Sequence, residues 1–270
     1  MGHRITVETG VQLFVEDIGD GQPVVLLHGW PANNRMFEYQ AATLIENGYR
    51  YVGIDLRGYG QSDRPASGYE YNRKADDVRA VIDHLQLSNV VLGGFSMGGP
   101  IALRYMSRHQ EHQVAKLLLM APAAPVFTQR DDYPLGMKSA EVDDLIENIR
   151  QDRPQAIEGF GQVFFDSNID VSETYASYFH GLTMEASLHG TVASAKALRD
   201  EDLRGELAEV TVPATSFHGQ QDQVCPFDFS NELQKGIPHL TIVPFKDCGH
   251  ALFVEDKDAF NQALLQFLRQ

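Results

Sequence analysis

The residue types that could do chemistry gather at Gly94-Phe95-Ser96-Met97-Gly98, around Asp222 in the segment 219–226, and at Cys248-Gly249-His250. A serine hydroxyl is a weak nucleophile until a base takes its proton. The pattern Gly-x-Ser-x-Gly is frequent by chance, but here it follows the apolar run 90–94 and precedes a helical pattern. That is the context in which a serine is pushed out above a sheet on a tight strand-to-helix turn. Side chains at the flanking positions would not fit, which accounts for Gly94 and Gly98. A helix opening at Met97 adds free N–H groups and the positive end of its dipole. Ser96 is therefore the expected nucleophile.

Where a serine sits on such a turn, the acid and then the base follow along the chain. His250, after the run LTIVPF and the short loop KDCG, has the position of the base; His218 and His239 read as structural. Asp222, after TSFHG, has the position of the acid, with Asp228 and Asp247 as rivals. Its task would be to hold the His250 tautomer and stabilise the imidazolium. The tetrahedral oxyanion needs backbone donors, expected from Met97 and from Trp30 in His28-Gly29-Trp30-Pro31. His28 reads as a residue that shapes this loop, and the glycine-rich 55–62 turn as scaffold. Cys225 and Cys248 read as buried packing thiols.

The elements needed to position these groups are legible as alternating apolar runs and helical patterns, the mark of a parallel sheet covered by helices. Strands are expected at 5–8 and 13–18 (a hairpin around Thr9-Gly10), then at 24–27, 51–54, 90–94 and 116–120, and finally at 214–218 and 240–243. Helices are expected at 36–47, 73–85, 97–109, 228–235 and 257–269. From 122 to 209 only amphipathic helical pieces rich in Phe and Tyr appear. The expected organisation is a core of 1–121 and 210–270 with a helical cap, 122–209, inserted into it.

The stretches HGWP, DLRGYGQSD, GFSMGG, FHGQQDQVCPF and CGHALF together resemble the bacterial aryl esterases and cofactor-free (non-haem) haloperoxidases. The resemblance covers almost the whole chain. It implies an α/β-hydrolase fold with a mostly parallel eight-stranded sheet, and it puts nucleophile, acid and base on Ser96, Asp222 and His250. It implies the oxyanion donors Trp30 and Met97, and a pocket lined by Phe127, Leu145, Phe160, Phe164, Val224 and Phe227. Some family members carry an aromatic residue in place of Leu145. The activity implied is that of a carboxylesterase on aryl or alkyl esters of short acids, needing no cofactor or metal. A side activity with hydrogen peroxide would give peracids, and Pro31, beside an oxyanion donor, is the residue expected to tune it. Lactonase, thioesterase or carrier-protein methyl esterase chemistry is the alternative, and a non-catalytic receptor the outlying one.

At 270 residues the chain is long enough for a full core. A net charge of -15 disfavours nucleic acid or an anionic membrane as partner, since both require a basic face. The expected partner is a small ester, and a homo-oligomer is compatible with the composition. The start, MGHRITVETG, lacks a signal peptide's apolar core, so cytoplasmic residence is the expectation.

Overall fold

The computed structural model describes residues 2–165 and 171–270. Strands β1 (Gly2–Glu8) and β2 (Val11–Ile18) form an antiparallel hairpin whose turn uses Gly10 at φ +79°. The remaining strands are β3 (Pro23–Leu27), β4 (Arg50–Ile54), β5 (Val90–Phe95), β6 (Val114–Met120), β7 (Ala214–Gly219) and β8 (Thr241–Phe245). They make one eight-stranded sheet in the order β1-β2-β4-β3-β5-β6-β7-β8, with β2 antiparallel to β4 and every later pairing parallel.

Strands β3 and β5 are wholly buried, as their unbroken apolar runs require of strands covered on both faces. Alternate residues feed opposite cores: Val25 and Leu27 join one cluster, Val24 and Leu26 the other. The first cluster is closed by α2 (Tyr71–His84) and α3 (Gly98–Arg108), the second by α1 (Glu38–Glu46) and α9 (Lys257–Arg269). The chain crosses from β3 to β4 on one side and returns to β5 on the other. The crevice at the carboxyl ends of β3 and β5 is thus a topological switch point, where such sheets bind ligands.

Between β6 and β7 lie α4 (Ser139–Phe164), α5 (Glu173–Met184) and α6 (Leu188–Asp200), with isolated bridges but no strand ladder among the described residues. Helix α4 breaks at Asp152, which leaves helical geometry and accepts the Gln155 N–H on its side chain at 3.2 Å, two residues before Pro154. Helices α7 (Asp228–Gly236) and α8 (Leu252–Glu255) complete the chain.

Several expected boundaries shift, three of them for a local reason. The helix expected over 36–47 is split, because Asn33 caps a 3₁₀ turn, Asn34–Phe37, before α1 begins. The helix after Ser96 starts at Gly98 rather than Met97. Strand β8 runs on through Pro244, which an edge strand tolerates because its outer face needs no donor.

Candidate active site

Ser96 ends β5 with φ +51°, a left-handed conformation that costs a non-glycine residue about 1–2 kcal/mol. The surroundings hold it there. Its N–H donates to Met120 O at 2.9 Å, and its carbonyl accepts from Gly99 and Ala123 at 2.9 and 3.0 Å. A Cβ on Gly94 would meet Gly98 O at 2.2 Å, and one on Gly98 would meet Leu27 O at 2.3 Å. Both glycines are therefore steric necessities.

The loop after β3 reaches the same point. A Cβ on Gly29 would lie 2.8 Å from the Phe95 ring and 3.0 Å from Ser96 Cβ, so only glycine lets the loop pass. His28 donates from Nδ1 to Gly29 O at 2.9 Å and accepts the Leu56 N–H on Nε2 at 3.0 Å. Burial holds its imidazole down at about 4, against the favourable Gly29 carbonyl, so it stays neutral and shapes the loop. Asp55 completes the bracing, accepting from Asn34 N and Nδ2 at 2.9 and 2.6 Å and from Gln61 N at 2.8 Å. Trp30 Nε1 donates to Thr191 O at 2.9 Å, tying the loop to α6, and the Trp30–Pro31 peptide is cis. Among the described residues no acceptor takes the backbone N–H of Trp30 or of Met97.

His250 and Asp222 come together because the loops after β7 and β8 run in contact. A Cβ on Gly219 would meet Gly249 O at 2.1 Å, and Gln221 N donates to Cys248 O at 2.9 Å. His250 Nδ1 donates to Asp222 Oδ2 at 2.7 Å in a buried pair. Asp222 Oδ1 accepts the Val224 and Cys225 N–H groups, each at 2.8 Å. Burial opposes ionisation of this carboxyl, but the His250 and His218 imidazoles and their hydrogen bonds outweigh it, holding the group well below the usual carboxylate range. With Nδ1 engaged by a carboxylate, Nε2 is the nitrogen of His250 left to act as base. The Phe95 and Phe164 rings pack on His250 at 4.8 and 5.3 Å between centroids.

The rivals of Asp222 lie elsewhere. Asp228 is exposed in the first turn of α7 and accepts from Asn231, and Asp247 is exposed. His218, read as structural, is 3.4 Å from Asp222 Oδ2; it donates from Nε2 to Cys225 O at 2.8 Å and accepts from Ser230. Cys225 is fully buried within hydrogen-bonding reach of the Ser96 hydroxyl, and burial beside Asp222 pushes its thiol up, away from the thiolate. No motif around Cys225 announces that contact; only its distance from Asp222 along the chain hints at it.

A narrow slot of about 20 Å³ opens on Ser96, with room for little more than one water. Phe127, Leu145, Phe160 and Val224 line it with Trp30. Met137, Val142, Ala195 and Leu198 also line it and were not foreseen, since their spacing is that of ordinary core residues. Two expected lining residues fall outside. Phe164 faces a separate groove of about 390 Å³ together with Pro31, Phe165 and Phe179. Phe227 opens α7 with its ring edge-on to His218 at 5.6 Å, because the turn holding Val224 and Cys225 against Asp222 carries it past the slot. Phe160 borders both spaces and meets Trp30 edge to face at 5.2 Å.

The family model of the alpha/beta hydrolase fold matches residues 22–257. The chain belongs to the α/β-hydrolase family. This hydrolase is 52% identical to the AB hydrolase superfamily protein YisY of Bacillus subtilis over 267 residues, 99% of each chain. The structure of an esterase from Exiguobacterium antarcticum, EaEST, superposes with a TM-score of 0.97 at 51% identity over the whole of both chains. A bromoperoxidase from Bacillus anthracis superposes at 0.96 and 32% identity, again over both whole chains. Esterase and non-haem haloperoxidase are among the activities named for the hydrolase's relatives. No helix among the described residues is long and apolar enough to cross a membrane.

Proposed function

We propose that the hydrolase is a serine carboxylesterase acting on aryl and alkyl esters of short acids through an acyl-enzyme. The observation that carries this is Ser96, held at φ +51° and opening on the slot, while the ring of its neighbour Phe95 packs at 4.8 Å on His250 of the buried His250–Asp222 pair. Ser96 Oγ attacks the carbonyl carbon while His250 Nε2 takes its proton, and the Trp30 and Met97 N–H groups receive the oxyanion. The imidazolium, stabilised by Asp222, then protonates the departing alkoxide. Water, deprotonated by the same nitrogen, cleaves the Ser96 ester and releases the acid. Helices α4–α6 serve as a cap that closes the slot. A pre-steady-state burst of nitrophenol from p-nitrophenyl acetate, with an acetyl mass increment on the Ser96 peptide, tests this mechanism; neither would appear if Ser96 formed no acyl-enzyme.

The size of the slot argues for acetyl-sized acids. Phe160 separates it from the larger groove, so Phe160→Ala should join the two spaces. The butyrate-to-acetate ratio of kcat/KM is expected to rise roughly tenfold, since one methylene in an apolar pocket is worth about 1–3 kcal/mol. An unchanged ratio would place the acyl chain elsewhere.

The likeness to a bromoperoxidase supports a second fate for the acyl-enzyme. Hydrogen peroxide in place of water would leave with the acyl group as a peracid and regenerate Ser96. Pro31 lines the groove beside Trp30, where it bears on which nucleophile enters. Pro31→Leu is expected to lower the ratio of peracid formation to ester hydrolysis several-fold; parallel changes in both rates would reduce Pro31 to a stiffener of its loop.

A further inference from the structure

Lys74 is a charged residue type without exposure, lying in α2 behind the Ser96 turn with its side chain fully buried. Its Nζ donates to Ser194 Oγ at 2.8 Å and approaches Met97 Sδ at 3.6 Å. Both partners are neutral, and no carboxylate among the described residues forms an ion pair with Nζ. Buried ammonium groups are ordinarily paired, so this environment fits an amine better than an ammonium.

These contacts bear on the site. Met97 carries one proposed oxyanion donor, and Ser194 lies on α6 next to Ala195, which lines the slot. The same helix holds the other donor residue through the Trp30 bond to Thr191 O. Tyr59 braces the arrangement, its hydroxyl donating to Gly190 O on α6 at 3.4 Å and its ring edge-on to His28 at 5.2 Å.

We propose that Lys74 is a positioning residue: as the free amine it holds the Met97 side chain and α6 in register around the oxyanion hole, and the ammonium, too little compensated by these two neutral acceptors to stay out of water, loosens them. The proposal rests on the esterase reading above. The groups that set its protonation come from every packed element. They are Glu70 and Asp77 on or beside α2, Arg57 and Tyr59 after β4, Tyr69 before α2, His28 after β3 and Glu201 at the end of α6. Burial brings the Lys74 ammonium down to about 7, with Arg57 helping and Glu201, Asp77 and Glu70 opposing. Glu201 is itself engaged, by the Tyr71 N–H at 2.7 Å and by Arg104 at 3.2 Å.

The sign follows. Below about pH 7 the lysine gains its proton, so activity should fall there in addition to the loss caused by protonating the base. Wild-type log kcat/KM against pH should steepen toward a slope of about two in acid, where one base alone gives about one. Lys74→Met, which fills the same space without a charge, should restore a slope of about one. It should also keep a roughly tenfold larger share of its plateau activity at about pH 6, since one pH unit below the midpoint only about a tenth of the molecules stay competent. Ser194→Ala removes an acceptor that favours the ammonium, so its second inflection should move to lower pH.

An unchanged normalised profile in a folded Lys74→Met would overturn the proposal. If that variant does not fold, an inflection that stays in place in Ser194→Ala would do the same. Turnover surviving in Ser96→Ala would instead overturn the esterase reading, so the two failures are separable.

Discussion

Ser96→Ala is expected to lower kcat on p-nitrophenyl acetate by about a millionfold, while thermal unfolding still shows a cooperative transition. Knocking out the nucleophile of a serine triad costs on that order, and the remainder comes from the oxyanion donors and binding. The substitution deletes one oxygen from a left-handed turn whose backbone bonds to Met120, Gly99 and Ala123 all survive. Folding should therefore be preserved, and a rate loss can be read as chemistry. The Cys225 thiol lies within reach of the same hydroxyl, so it is the group to watch for residual turnover. A variant retaining more than about a thousandth of wild-type kcat would remove Ser96 from the role of nucleophile. Adding Cys225→Ala to it would then show whether the thiol had taken over.

Asp222→Asn is the second large effect, expected to cost about ten thousandfold in kcat, with Asp228→Asn and Asp247→Asn nearly silent. The carboxylate accepts from His250 Nδ1 and so holds the proton on that nitrogen, leaving Nε2 free to take the serine proton. An amide can instead present its own N–H to Nδ1, which favours the opposite tautomer. Two backbone N–H groups, from Val224 and Cys225, already satisfy Oδ1. The oxygen of the introduced amide is therefore expected to stay with them and turn its NH₂ toward His250, the less productive arrangement. The His218 ring, 3.4 Å from Oδ2, loses a favourable charge in the same variant. Asp228 and Asp247 are exposed, and their loss should change the surface alone. A larger loss at either would transfer the orienting role to it.

Local steric and periodic signals made the candidate nucleophile, base and acid legible in order along the chain. A turn that tolerates only glycine at 94 and 98 is a property of neighbouring residues, so it can be read without the fold. The unbroken apolar runs of β3 and β5 likewise announce strands buried on both faces. What the sequence determined by itself was the alternating sheet, the Ser96 turn and the ordering of acid and base.

Tertiary structure decided the rest, because it depends on approaches between segments far apart in sequence. Asp222 is singled out from Asp228 and Asp247 only by the contact of the β7 and β8 loops across Gly219. Phe160 and Phe164 sit four residues apart on α4, yet only Phe160 reaches the slot, while Phe164 packs on His250 and faces the larger groove. Phe227, a pocket residue by the family resemblance, instead sets its ring edge-on to His218, beyond the turn that satisfies Asp222. Lys74 lies in a helix rich in charge, and no motif marks it there. Only the closing of α6 over Met97 removes it from water, and with it changes what its amine can do.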